Sequence, residues 1–199
     1  WHAGYSTGNK IPGFNAGHLG ENLSMAIPFI KDDLPEDFCA RLLQFQWKIG
    51  DYCFRSSRTA IVNNLPFHLT TAYLLTALLV PEFRDSPKWE ETGIRRVRYL
   101  FGGRRGITEK GYFREGFSYQ RVNHNLMMRV DLGLLRSGRK IPSEIEQAAK
   151  ESMEFAAATI RNDGHVPRVG DGAESGFWEH DIEQHEVLHL AAALWNRQD

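Results

Sequence analysis

Gly111-Tyr112-Phe113-Arg114-Glu115-Gly116-Phe117-Ser118-Tyr119-Gln120 runs directly into Val122, Leu126, Val130 and Leu134, an apolar residue at every third or fourth position. That spacing predicts a helix over about residues 117–135, with Tyr119 in its first turn and on its apolar seam. Glycines stand on both sides, Gly116 before the pattern and Gly138 after it, and Gly138 reads as the terminator. Gly133 weakens the last turn, because glycine loses the most backbone freedom in a helix. A helix whose start is fixed in this way holds the Tyr119 phenol at a defined point and angle.

The same period extends in both directions. Downstream, Ser143 and Glu146 have capping-box spacing and open a predicted helix through Ile160 that closes near Gly164. A loop His165-Val166-Pro167-Arg168-Val169-Gly170-Asp171-Gly172 follows, and a last helix covers about residues 182–195. Upstream, Trp89, Ile94, Val97, Tyr99 and Leu100 mark one helix that Gly102 and Gly103 end. Leu69, Tyr73, Leu74, Ala77 and Leu78 mark another that stops at Pro81, and Phe38, Leu42, Phe45 and Ile49 a third that begins after Pro35. Residues 1–30 carry Gly4, Gly8, Gly13, Gly17, Gly20, Pro12 and Pro28, a density of breakers that predicts irregular structure around short helical pieces. Strand alternation and short-period repeats are absent. The expectation is a single all-α domain over 1–199, built as a helical hairpin array or an incomplete α/α toroid.

The 199 residues are 42% hydrophobic and 12% aromatic, ample for a packed core. A net charge of -1 gives no reason to expect nucleic acid, which demands a dominant basic surface. Arg95, Arg96, Arg98, Arg104 and Arg105 form a local basic stretch that reads either as a solvated face or as an attractor for an acidic substrate. Cys39 and Cys53 are the only cysteines, too few and too widely spaced for a disulfide framework or a metal knuckle. No apolar run is long enough for a membrane span, and no basic-then-apolar leader opens the chain. Trp1 in place of an initiator methionine suggests a processed or excised chain.

Asn63 and Asn64 stand directly before the Leu69–Leu78 helix, and Asn64 precedes Tyr119 by 55 residues, enough for two intervening helices to bring both side chains to one rim. Each has a plainer reading: Tyr119 as a core tyrosine with one hydrogen-bonded hydroxyl, and Asn64 as a helix cap. The tryptophans read as core packing first and as sugar-stacking faces second.

Several segments together resemble the heparinase II/III-like polysaccharide lyases, which include heparin, heparan sulfate and alginate lyases and are related to uronate epimerases. Asn63-Asn64 with the helix ending Leu78-Leu79-Val80-Pro81-Glu82-Phe83 resembles the family's asparagine-led helix closing on a Pro-Glu turn. Gly111 to Tyr119 is similar to its "DG-x-F-x-E-x-S-x-x-Y" region, Gly164 to Asp171 to its "DG-x-x-P-x-x-GD" loop, and Leu190 to Asp199 to the helix just past it. One departure is that Leu65 and Pro66 follow Asn64 where the family often has histidine or another polar residue, with His68 only later.

The resemblance implies an α/α toroid acting on a uronate-containing acidic polysaccharide, by β-elimination or by C5 epimerisation. It further implies a periplasmic or secreted location, no cofactor in the toroid, and β-rich domains of the same polypeptide that complete the site. Tyr119 becomes the proton-transfer group, since a phenol with a reference pKa of ~10 can act as an acid toward the leaving oxygen without assistance. Asn64 becomes the neutraliser of the substrate carboxylate, because an amide donates without a competing ionisation. Asn63, His68, Arg114, Glu115, Gln120 and His124 are candidates for substrate contact; His124 falls on a different helical face from Tyr119, which leaves a structural reading open for it.

A rival signal lies in the last helix. His185-Glu186-Val187-Leu188-His189 satisfies the H-E-x-x-H pattern of zinc hydrolases, two imidazoles one turn apart beside a glutamate that would activate water. A catalytic zinc wants a third protein ligand, and beyond His189 only Asp199 carries a carboxylate, with His180 as an unusual upstream alternative. The expectation is therefore a polar helix face without metal, with zinc through His185 and His189 as the alternative.

Overall fold

A computed structural model describes residues 13–57, 64–102, 111–113, 116–167 and 178–195. Among them are seven α-helices and no strand, so the all-α expectation holds. In chain order they are α1 (Gly13–Ile30), α2 (Glu36–Ser56), α3 (Asn64–Leu79), α4 (Ser86–Val97), α5 (Phe117–Arg136), α6 (Ser143–Thr159) and α7 (Trp178–Leu194). A 3-10 turn, Lys31–Asp33, follows α1, and a π-helical turn, Arg98–Gly102, extends α4. None of the described helices is long and apolar enough to cross a membrane. The chain divides into two compact units, one of residues 1–61, 65–97 and 132–140 and one of 62–64, 98–131 and 141–199.

In the first unit α3 is the central element. Every residue from Pro66 to Leu78 is buried, as expected of a helix that is apolar all round. Its polar members are satisfied partly within a network that ties three helices together. Gln46 Nε2 of α2 approaches Ser24 Oγ and Thr76 Oγ1 at 2.7 Å each and the Gly20 carbonyl at 3.1 Å, while the Ser24 and Thr76 hydroxyls bond each other at 2.9 Å.

The first 30 residues differ from expectation: from Gly13 onward they form one continuous helix rather than irregular structure. The reason is visible at the glycines. A Cβ on Gly17 would lie 2.8 Å from His68 Cβ, and one on Gly20 would lie 2.9 Å from Ile49 Cγ2 and 3.0 Å from Ala72 Cβ. These positions are glycine because neighbouring helices press against them, and the packing outweighs the roughly 1 kcal/mol of helix propensity each one forfeits. Pro28 lies in the last turn, where its missing N–H costs a single backbone bond.

The buried face of α2 is Gln46, Ile49, Gly50, Cys53 and Phe54. Of the seam expected there, only Ile49 belongs to it; Phe38 and Phe45 are exposed. Gly50 again marks close packing, with the Trp89 ring 2.8 Å from where its Cβ would be. Gly133, in the part of α5 that belongs to this unit, faces Leu75 Cδ2 at 2.5 Å in the same sense. The helix stops as predicted. Gly138 takes φ +74°, Arg139 N–H bonds the Leu134 carbonyl at 2.8 Å and Gly138 N–H bonds that of Leu135 at 3.0 Å, a Schellman termination.

In the second unit α6 begins at Ser143, but the expected capping box does not form. Pro142 occupies the cap position, its carbonyl accepts from the Ile145 and Glu146 N–H groups, and no side chain caps the helix. Ser143 sits inside the first turn, where its hydroxyl reaches only Glu144, at 3.4 Å. Ile145, Ala149 and Met153 form the buried face. Gly164, with φ +82°, closes the turn after α6 as its position suggested.

Candidate functional site

The segment from Gly111 into α5 is built on a buried polar chain in the second unit. Gly111 has φ +77°, and a Cβ there would lie 2.3 Å from the Glu151 carbonyl oxygen, so only glycine can lie this close to the α6 backbone. Its own carbonyl accepts from Ser152 Oγ at 2.8 Å and from Gln120 Nε2 at 3.1 Å. Ser152 has one hydroxyl proton, and it goes to Gly111. The 2.7 Å contact between His124 Nε2 and Ser152 Oγ must then be donated by the imidazole, which assigns the Nε2–H form to His124. The 3.4 Å approach of Gln120 Nε2 to that nitrogen becomes a contact between two donors rather than a bond.

Aromatic packing holds the same segment from another side. Tyr112, Phe117 and Phe155 form a three-ring cluster with centroids 5.4, 5.6 and 5.9 Å apart. Gly116, at φ +105°, closes the turn by donating to the Phe113 carbonyl and accepts from Gln120 N–H at the start of α5. Tyr119 follows within one turn. It is half-buried rather than sealed in the core, and its carbonyl accepts from Asn123 Nδ2 at 2.7 Å. The outcome is a phenol on a helix start whose position is fixed by buried hydrogen bonds and ring packing.

The other sequence candidates fall into four groups. Asn64 is the first residue of α3 and is buried to 6% exposure. Gln120 and His124, expected to touch substrate, are instead buried struts beneath the Gly111 turn, at 2% and 0% exposure. Buried side chains that hold Ser152, as His124 does, or the Gly111 carbonyl, as Gln120 does, are positioning groups. His68, also expected at the substrate, is buried in the first unit, its Nδ1 2.9 Å from Glu21 Oε1. Asn63, Arg114 and Glu115 lie outside the described residues, as do Arg104, Arg105, Asp171 and the side chain of His180.

The H-E-x-x-H residues do not assemble a metal site among the described residues. His185 Nε2 lies 2.9 Å from the Gly164 carbonyl, an acceptor, so that nitrogen carries the proton and holds the turn after α6. Glu186 and His189 are exposed. The tryptophans that can be described are also engaged. Trp89 is fully buried, Trp47 Nε1 donates to Asp85 at 3.1 Å, and Lys150 lies over the Trp195 ring at 5.7 Å from its centroid. Arg98 of the basic stretch pairs with Glu144 at 2.7 Å.

Two features had no counterpart in the sequence reading. Asp131 on α5 is fully buried, and neither carboxylate oxygen has a hydrogen-bond partner among the described residues. Burial, reinforced by Glu146 and opposed by Lys150, pushes its carboxyl up to about 7. The other is the convergence of His18 and Glu21 of α1 on His68 of α3. His18 and Glu21 have the three-residue spacing that places two side chains on one helical face, a signal hidden by reading the glycines around them as breakers.

Comparisons with protein-family models, with curated proteins and with solved structures find no match to this chain.

Proposed function

We propose that this chain is a helical domain of a polysaccharide lyase that cleaves uronate-containing acidic polysaccharide by β-elimination. The observation that carries the reading is Tyr119, half-buried on the first turn of a helix whose start is pinned by the Gly111–Ser152–His124 chain. The resemblance of Gly111–Tyr119, Asn63–Phe83 and Gly164–Asp171 to the lyase segments supports it, as does the all-α fold.

In this scheme Asn64 donates to the substrate carboxylate, which lowers the cost of the enolate-like state formed when the C5 proton leaves. A base supplied by the domains that complete the site takes the C5 proton, the C5–H electron pair becomes the C4–C5 double bond, the C4–O bond breaks, and the departing oxygen takes a proton from the Tyr119 hydroxyl, which water then reprotonates as the base releases its proton. Fixed placement matters more here than acid strength, because a group held in reach of the reacting atom avoids the entropy of finding it. The same abstraction opens a C5 epimerisation, in which the proton returns to the opposite face. The reading carries with it a periplasmic or secreted location and β-rich domains of the same polypeptide that complete the site.

The test is ultraviolet absorbance of the new double bond on a panel of uronate polymers, with the 199-residue chain and with the full gene product. Tyr119→Phe should lower the rate by about 10²–10⁴-fold with an unchanged far-ultraviolet dichroism spectrum, the range for loss of a positioned acid or base. A full gene product that yields neither absorbance nor solvent exchange at C5 on any polymer, or a Tyr119→Phe variant with undiminished rate, would refute the proposal.

A further inference from the structure

In the first unit, His18, Glu21 and His68 each offer one ligand atom, and the three atoms all lie within 4.8 Å of one another. His68 Nδ1 is 2.9 Å from Glu21 Oε1, His18 Nδ1 is 4.0 Å from Glu21 Oε2, and the two imidazole rings lie with centroids 4.1 Å apart. We propose that these three residues form a binding site for a divalent transition ion of the zinc class, bridging α1 and α3 and separate from both Tyr119 and the H-E-x-x-H helix.

Donor chemistry, scaffold and geometry all favour an ion at this cluster. The donor set, two imidazoles and one carboxylate, is one that zinc and its neighbours favour. The scaffold is rigid on the side that matters: Glu21 and His68 are 1% and 2% exposed, and Gly17 lets α1 lie against the His68 backbone, with 2.8 Å between its would-be Cβ and His68 Cβ. The geometry is also near the required one. Ligand atoms of a tetrahedral ion at about 2.1 Å lie about 3.4 Å from each other; the His68 Nδ1–Glu21 Oε1 pair, at 2.9 Å, must open, the His18 Nδ1–Glu21 Oε2 pair, at 4.0 Å, must close, and the three ligand atoms, all within 4.8 Å of one another, must draw together around the ion.

The His18 side chain is 42% exposed and can make the adjustment by a small rotation. It also gives the ion a path from solvent and leaves the fourth coordination position for water. A buried Glu–His ion pair would account for Glu21 and His68, but it does not require a second imidazole directed at the same carboxylate. On binding, the proton shared by His68 and Glu21 leaves to solvent and the ion takes its place. This inference stands apart from the lyase reading and replaces the expectation that the chain carries no metal.

The experiment is a titration of the chelator-treated 199-residue chain with Zn²⁺ against a chromophoric competitor, and with Co²⁺ followed by its visible absorption. One equivalent should bind, and saturating zinc should raise the melting temperature by mass action. His18→Ala removes a half-exposed ligand without opening the core. It should weaken binding by at least about tenfold and abolish the visible cobalt spectrum, with unchanged dichroism. Glu21→Gln should do the same if it folds; if it does not, His18→Ala decides. His185→Ala/His189→Ala should bind as the parent does. Absence of stoichiometric binding by the parent, binding indifferent to His18→Ala, or binding lost in the His185/His189 variant would overturn the proposal.

Discussion

Asp131→Asn should make the protein more stable at neutral pH than in acid relative to the parent, because the parent hides a carboxyl that resists ionising. The Asp131 carboxyl rises from an ordinary 3.8 to about 7 in the folded protein, burial being the main cause. Below the lower value the group is protonated in both states and costs nothing. As pH rises between the two values, the unfolded chain releases the proton while the folded chain keeps it, so the parent loses about 1.36 kcal/mol per pH unit. Above pH 7 both states are ionised and the loss levels off. A rise from 3.8 to about 7 is worth about 4 kcal/mol at that slope, a large share of the roughly 5–15 kcal/mol that holds a typical domain together.

Asparagine keeps the shape and removes the titration. Its buried amide adds a penalty of about 1–3 kcal/mol, which is constant with pH and therefore drops out of the slope. The assay is urea unfolding of parent and variant by far-ultraviolet dichroism at several pH values from about 4 to 8.5, reading the stability difference at each. The difference should grow by about 4 kcal/mol across that range, a relative shift of roughly 1.5 M in urea midpoint. A difference that stays flat would refute the argument, since it would mean that Asp131 ionises in the folded state as readily as in the unfolded one. A difference growing in the opposite direction would mean that a cation outweighs burial.

Two glycines of similar φ separate strain from steric exclusion. Gly138→Ala, at φ +74° with no atom within 4 Å, should cost about 1 kcal/mol, whereas Gly111→Ala, at φ +77° and against the Glu151 carbonyl, should cost about 3 kcal/mol or more by thermal unfolding. Because Gly111 also anchors the chain beneath Tyr119, Gly111→Ala should lower activity wherever Tyr119→Phe does. The two thiols should react unequally. Burial, with Glu21 nearby, pushes the Cys53 thiol up to about 12, so in native protein a thiol reagent near pH 8 should label only the half-buried Cys39, with Cys53 labelled after unfolding, as peptide mass analysis would read.

Much of the helical framework was legible because its signals are local. A three-to-four-residue apolar period, a proline that cannot continue a helix and a glycine that takes positive φ all act within a few residues of themselves, so α3, α5, α6 and the stop at Gly138 follow from them. Errors arose where a local signal met a distant partner. Gly17 and Gly20 look like breakers in isolation and are contact points once His68, Ile49 and Ala72 arrive from other helices. Phe38 and Phe45 look like a core seam, yet the face that α2 buries is centred on Gln46, Gly50 and Cys53, where the other helices lie. Ser143 has cap spacing, yet the carbonyl of Pro142 had already taken the first N–H groups.

By itself the sequence determined a helical chain with a tyrosine at the start of α5 and glycines around the turn before it. Only the tertiary structure decided which polar side chains are buried supports and which keep an accessible surface. His124 and Gln120 became supports because α6 brought Ser152 to the Gly111 carbonyl, and Asp131 became a carboxyl that holds its proton because water is excluded from it. His18, Glu21 and His68 became one cluster because glycine let α1 approach α3. Periodicity is a property of neighbours along the chain, whereas burial and charge environment depend on residues tens of positions away, and those meet only when the helices pack.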